Sequence, residues 1–357
     1  MGEILGLGVT HHPGFLGQDE NLAELLRRTL KSDRVPVRLR DPKNWPAPMQ
    51  EEWADDGGLA AAKSHRAHLM ADFAKVRDRL DAFKPDFVVI WGDDQYEQFR
   101  EDCVPPFNVF IFDKYECQPY LQSSSVNPGK SNIWGDPVEK VFKFQGHMAG
   151  AGYLVQKLIE ADFDMAYSYK VRDGHPLPHS FLNTIQYLDY DRRGFNHPIV
   201  PFHVNCYGST VIRSKGSMGH LFGGRHEERF DPISPTPRRC FQIGQSVAKI
   251  LRDSPWRVAV IASSSWSHAF LTEKNGWIYP DVEADLRCYE DLKAGRYTKF
   301  RDMNLPDIEA AGQQEVLNWV CLAGAMHELD SKPEFIDFVG SWIFNSSKVM
   351  ATFAPVS

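Results

Sequence analysis

The sequence has no CxxC pair, no excess of basic residues and no apolar run near the length of a membrane span, and each absence removes a class of function. Its six cysteines, at 103, 117, 206, 240, 288 and 321, are scattered beside apolar or aromatic residues, which excludes a disulfide framework and a zinc knuckle. Lysine and arginine together number 40 against 47 acidic residues, for a formal charge of −7, so there is no basic face to neutralise nucleic-acid phosphates. No apolar segment calls for a membrane, and the N-terminus shows no basic stretch leading into an apolar one, so a cytoplasmic location is expected. Neither GxxxxGK[ST] nor GxGxxG stands at a strand-to-helix turn, and there is no GxSxG elbow, so nucleotide binding and the common serine hydrolase of α/β architecture find no support.

What is present begins with Gly2 to Gly14. Ile4, Leu5, Leu7 and Val9, with glycines between them, form an apolar run too short for a helix, and Pro13 closes it. His11 and His12 therefore fall at the carboxyl end of a buried strand, where open α/β sheets keep their chemistry. Residues 20–31 show a short amphipathic helical pattern, and 59–83 a long one that stops at Lys84-Pro85. On that long helix His65 and His68 are three apart; with no third ligand nearby in sequence they read as solvated helix residues. Phe87 to Trp91 is a second buried strand, and it runs into Gly92, Asp93, Asp94 and Gln95. A right-handed crossover would place its end beside His11.

Further strands are expected at 163–169, 199–204 and 258–262, and further helices at 147–161, 235–251 and 308–326. This alternation predicts an α/β fold: a mostly parallel central sheet flanked by helices on both faces, forming a single large domain over 1–357 with insertions. Segments 100–146 and 208–234 are the insertions, rich in aromatics and proline or in glycine and charge, and are expected to act as a lid or an oligomer contact. His203, inside an apolar strand, reads as a core histidine. Arg213, Arg225, Arg238 and Arg239 are candidates for a substrate carboxylate, although for each the solvated-surface reading is preferred.

Collected at the strand ends are His11 and His12, Asp93, Asp94 and Gln95, His179 and His268, with Glu315 from a late helix. Two histidines and a carboxylate on one side of Fe(II) leave positions open for substrate and oxygen, and unliganded histidines beside them can move protons.

These residues resemble the class III extradiol ring-cleavage dioxygenases of the protocatechuate 4,5-dioxygenase β-subunit type. The family's His-x-Pro strand end is matched by His11-His12-Pro13. Its Asn-Asp-His with a Phe four residues on is matched by Asp93-Asp94-Gln95 and Phe99. Its Glu four residues before a Trp, on a helix ending in Gly-Ala, is matched by Glu315, Trp319 and Gly324-Ala325. Leu177 to Phe181 stands for a Val-Asp-His-Gly-like motif, and Ser264 to His268 for Gly-Gly-Leu-Ser-His; Val204-Asn205 and Arg239-Cys240 with Gly244 also fit. The matches extend in order from residue 6 to about 326.

The resemblance implies a non-haem Fe(II) enzyme that opens the ring of a catecholic or related aromatic compound with O2. It implies His11, the residue at 95 and Glu315 as metal ligands, His268 as the base, and His179 as the group that positions substrate or oxygen and later acts as acid. It also implies a homo-oligomer, a dimer, or pairing with a related subunit. Position 95 is Gln where the family has a metal-binding His, and an amide oxygen is a harder, weaker donor than imidazole. His12 or Asp94 could replace it as a ligand, and Zn or Mn could replace iron. Two alternatives follow: a metal-dependent hydrolase or lyase on the same fold, and a non-catalytic subunit. Retention of His11, His268 and Glu315 together counts against the second.

Overall fold

The computed structural model describes residues 1–123, 131–172, 174–208, 214–216, 218–222 and 232–357. Ten strands occur among them: β1 (Glu3–Val9), β2 (Phe87–Gly92), β3 (Phe107–Phe110), β4 (Lys114–Cys117), β5 (Phe142–Gln145), β6 (Ala166–Ser168), β7 (Ile199–Val204), β8 (Arg257–Ser263), β9 (Pro333–Val339) and β10 (Lys348–Phe353). The six helices of ten or more described residues are α1 (Leu59–Phe83), α2 (Met148–Glu160), α3 (His179–Leu188), α4 (Pro237–Arg252), α5 (Val282–Lys293) and α6 (Val316–Glu328).

Eight strands form one sheet in the order β6-β3-β7-β2-β8-β1-β10-β9, and β4 pairs with β5 as a separate hairpin. The interior strands β7, β2, β8 and β1 are parallel, with Val88 opposite Ile199, Phe87 opposite Val258 and Ile4 opposite Val258. Their nearly continuous aliphatic runs are buried on both faces, as helix-covered parallel strands require. β3 joins β7 antiparallel, and the β9–β10 hairpin extends the sheet antiparallel beyond β1.

Successive side chains on each strand point to opposite faces, which splits the core in two. Leu5, Leu7, Val9, Val88 and Ile90 pack with Leu69, Phe73 and Val76 of α1 and Phe181 and Ile185 of α3. Ile4, Val89 and Trp91 pack with Leu154 of α2, Phe241 and Ile243 of α4, and Trp319 and Met326 of α6. β1 can lie flat under α6 because Gly8 has no side chain: a Cβ there would sit 2.1 Å from the Trp319 ring. The α4–α6 contact is equally close, since a Cβ on Gly244 would fall 1.9 Å from Cys321 O and one on Gly324 2.1 Å from Phe241 O.

Two expectations are corrected. First, β1 and β2 are not adjacent in the sheet, because β8, which comes more than 160 residues later, lies between them; their ends still meet as expected, with His11 Nε2 3.6 Å from Asp93 Oδ1. Second, the helix expected over 308–326 is broken. A short helix, Leu305–Ala310, ends at Gly312 (φ +67°), and α6 starts afresh at Val316, so Glu315 stands at a helix start and not on a helix face. His179, the expected acid, lies at the start of a helix. It is the first residue of α3, where Pro178 just ahead of it leaves the helical ladder intact. Segment 100–146 contributes the interior strand β3 and the β4–β5 hairpin. The tract 124–130 and most of 208–234, including Arg213 and Arg225, lie outside the described residues.

Candidate metal centre and active site

The carboxyl ends of β1, β2 and β8 deliver His11, Asp93 and Ser263 to one place, and the break before α6 adds Glu315. His11 Nδ1 donates to Ser263 O at 2.9 Å, which fixes the tautomer and leaves the Nε2 lone pair facing inward. From that Nε2, Asp93 Oδ1 is 3.6 Å away and Glu315 Oε2 3.5 Å away. His268 Nε2 lies 3.5 Å from the same Glu315 oxygen. These donor atoms of His11, Asp93 and Glu315 all lie within 4.8 Å of one another, and the three residues are buried.

The two oxygens of Glu315 differ. Oε1 accepts from Tyr207 Oη at 2.5 Å and from Gln95 Nε2 at 3.0 Å. Oε2 is buried and has no hydrogen-bond partner among the described residues. A buried carboxylate oxygen left unpaired carries a desolvation penalty of about 1–3 kcal/mol or more. Burial, and then the Asp93 charge, hold the Glu315 carboxyl well above its ordinary range. Burial likewise pushes Asp93 up to about 6. Burial, and then His179 and His268, keep His11 neutral with its lone pair available. Two crowded carboxylates and a neutral imidazole, with an orphan oxygen at their centre, are a donor set short of one cation. The residues fit a divalent metal.

Two histidines outside this set are tuned in opposite directions. His268 Nδ1 donates to Trp266 O at 2.9 Å, and burial pushes the ring down to about 4, so Nε2 is a free base. His179 Nδ1 is 3.0 Å from Glu97 Oε1, and its ring meets His11 edge-on at 5.1 Å. Burial works against protonation of His179, but Glu97, with Asp93 and Glu315 behind it, outweighs burial and raises it to about 9. A neutral imidazole and an imidazolium on one site are the arrangement that acid–base chemistry needs.

The remaining candidates are placed differently. The Gln95 amide nitrogen is turned toward the carboxylates, with Asp93 Oδ2 also within 3.4 Å of it, so Asp93 carries the oxygen at this edge of the site. Asp94 accepts from the backbone N–H groups of Glu97 (3.1 Å), Gln98 (2.7 Å) and Phe99 (3.4 Å), which makes it the cap of the turn after β2. His12 points the other way, edge-on to Phe15 at 5.6 Å. His203 lies in the core against Phe99 at 4.5 Å, and burial pushes it down to about 3. Arg239 is used at the surface, where it donates to Asp162 O and lies over Phe163, and Arg238 is exposed.

Tyr207, Glu97 and Asn318 were missed in the sequence. Asn318 Nδ2 is 3.5 Å from Asp93 Oδ1, one turn along α6 from Glu315. That i, i+3 spacing from Glu315 was the one available signal; nothing in the sequence marked Glu97 or Tyr207. Of the segment 208–234, Leu221 O accepts from Ser32 Oγ at 2.6 Å and His220 Nε2 lies 2.8 Å from Phe270 O, two residues beyond His268. No helix among the described residues is long and apolar enough to cross a membrane.

Comparison with known proteins adds to this geometry. Residues 232–346 match the family described as the catalytic LigB subunit of aromatic ring-opening dioxygenase, a stretch that holds His268 and Glu315. Over 186 residues, 51% of this chain and 46% of the relative, the sequence is 24% identical to a gallate dioxygenase of Pseudomonas putida. Over 229 residues, 64% of this chain and 56% of the relative, it is 21% identical to a 2,3-dihydroxyphenylpropionate/2,3-dihydroxicinnamic acid 1,2-dioxygenase of Photorhabdus laumondii. The chain thus spans about half the length of these curated relatives. About a third of it, the part carrying His268 and Glu315, is similar to the catalytic subunit of ring-opening dioxygenases.

Proposed function

We propose that this chain is a metal-dependent extradiol dioxygenase that opens the ring of a catecholic or related aromatic compound with O2. We assign Fe(II) to His11, Asp93 and Glu315. The observation that carries the reading is the buried, unpartnered Glu315 Oε2 facing His11 Nε2 and His268 Nε2 at 3.5 Å each. The names of the relatives, a gallate dioxygenase and a dihydroxyphenylpropionate dioxygenase, support the aromatic diol and O2 as reactants.

When bound, iron would lower the pKa of a coordinated diol and supply the electron transfer to oxygen. The chain supplies the rest. His268 accepts a hydroxyl proton at Nε2, which burial keeps free at neutral pH. His179, held protonated by Glu97, supplies a proton from beside His11. Tyr207 and Gln95 fix the Glu315 carboxylate through Oε1 and leave Oε2 for the metal, an outer layer that orients the inner one. His220, with Nε2 2.8 Å from Phe270 O, would cover the site from that side.

A second reading, hydrolysis or lyase chemistry with Zn or Mn, is favoured by Asp93, because one nitrogen and two carboxylates form a harder donor set than two histidines and a carboxylate. Elemental analysis after anaerobic Fe(II) loading, followed by oxygen uptake with catechol, gallate and 2,3-dihydroxyphenylpropionate, separates the two. About one iron per chain with oxygen consumed in proportion to ring opening supports the dioxygenase. Zinc that iron does not displace, with no oxygen consumed, selects the second reading.

A further inference from the structure

The pair His68 and His65, read from sequence as solvated, separates in the fold. His65 is buried with its ring stacked on Phe15 at 5.7 Å. His68 meets two carboxylates: Asp72, one turn along α1, and Asp337, brought alongside by the outermost strand β9. We propose that His68, Asp72 and Asp337 form a second divalent-cation site, of zinc or manganese type, that clips β9 to α1.

The distances suit it. His68 Nε2 lies 2.7 Å from Asp337 Oδ2 and 3.7 Å from Asp72 Oδ2, and the three donor atoms lie within 4.8 Å of one another. Around a tetrahedral Zn2+ with bonds of about 2.1 Å, donor atoms stand roughly 3.4 Å apart, between the two values observed.

Asp72 is the observation that points to a ligand. Its side chain is fully buried, yet Oδ2 meets no N–H or O–H donor among the described residues and faces the other two ligand atoms. Its other oxygen accepts from Lys75 Nζ at 2.8 Å, so Lys75 orients the carboxylate and leaves Oδ2 for a metal. Two carboxylates and one lysine leave one negative charge beside the His68 ring, which attracts a divalent ion. Burial, and Asp337 in addition, raise the Asp72 carboxyl above its ordinary range, as expected of a carboxylate facing another with no cation between them. His68 is half exposed, so solvent reaches the remaining coordination position. Held there, the metal would pin an edge strand to the longest helix of the fold and stabilise it by mass action.

The test is Zn2+ binding to the chelator-stripped chain by calorimetry, with thermal unfolding followed in parallel. The wild type is expected to take two equivalents. His68→Ala and Asp337→Asn should each take one, with affinity at the altered site down about tenfold or more. The equivalent that remains should vanish in Glu315→Gln, and zinc should raise the wild-type Tm by more than that of His68→Ala. Zinc stoichiometry unchanged in both His68→Ala and Asp337→Asn overturns the proposal, as does wild-type binding lost entirely in Glu315→Gln. A single wild-type equivalent that survives Glu315→Gln and disappears in His68→Ala would support this site and defeat the assignment of metal to Glu315, so the two readings fail separately.

Discussion

Lys348 is a fully buried amine at the start of β10, and its titration gives a prediction that can be worked to a number. Nζ donates to Phe344 O at 3.0 Å and to Ser346 O, lies 5.4 Å from the centre of the Phe15 ring, and has no carboxylate among the described residues within ion-pair distance. Burial pushes its pKa down from 10.5 to about 7, with Glu52 and Asp285 offsetting only part of the effect. At about 1.4 kcal/mol per unit, holding the charged form in the fold costs about 5 kcal/mol. The sign follows from proton counts. Between pH 7 and 10.5 the unfolded chain carries a proton that the folded chain lacks, so stability rises with pH across this window, and below pH 7 the full penalty applies. Lys348→Met removes the term together with two hydrogen bonds of about 1 kcal/mol each, for a net gain of about 3 kcal/mol at pH 7. Urea unfolding of both proteins from pH 6 to 10 reads the difference. The variant's advantage should shrink by about 1.4 kcal/mol per unit above pH 7 and reverse near the top of the range. A difference that does not change with pH would refute the reasoning, because it would mean that the amine keeps its charge in the fold.

Further outcomes follow from the site and its packing. Asp93→Asn should lower iron affinity by far more than Gln95→Leu, which loses only the orientation of Glu315 and should cost about tenfold to a hundredfold; equal losses in equilibrium dialysis would place Gln95 on the metal. His268→Ala should lower kcat by at least about a hundredfold with iron content unchanged, and full turnover in that variant would remove it from proton transfer. Gly8→Ala drives a methyl group into the Trp319 ring and should destabilise the chain by about 1–3 kcal/mol in urea, whereas an unchanged midpoint would mean that β1 and α6 separate freely. Limited proteolysis within 208–234 should slow when substrate analogue and metal are bound, and equal cutting with and without them would deny this segment a role over the site.

Much of the site could be read from the chain because strand ends and short motifs are local. His11 follows a glycine-rich aliphatic run, His268 follows another, and Glu315 precedes Trp319 by four residues; the structure brings all three within reach of one point, with His179 edge-on to His11. What could not be read depends on partners far away in sequence. Whether Gln95 or Asp93 presents an oxygen depends on how the turn capped by Asp94 directs each side chain. Glu97 gains its meaning only from His179, 82 residues later, and Tyr207 only from Glu315.

The sequence by itself determined the elements. Mostly apolar runs bounded by glycine or proline made β2, β7 and β8, and a 3.6-residue pattern made α1, since these depend on each segment's own burial and backbone preferences. Tertiary structure alone decided their order. It placed β8 between β1 and β2, broke the last helix at Gly312 so that Glu315 turns inward, and carried Asp337 to His68 along a hairpin added antiparallel beyond β1. The physical reason is that several strand orders would bury those runs equally well. Only the close fit of particular residues, Gly8 under Trp319, Gly244 against Cys321 and Gly324 against Phe241, separates one order from the others, and that fit exists only when both partners are in place.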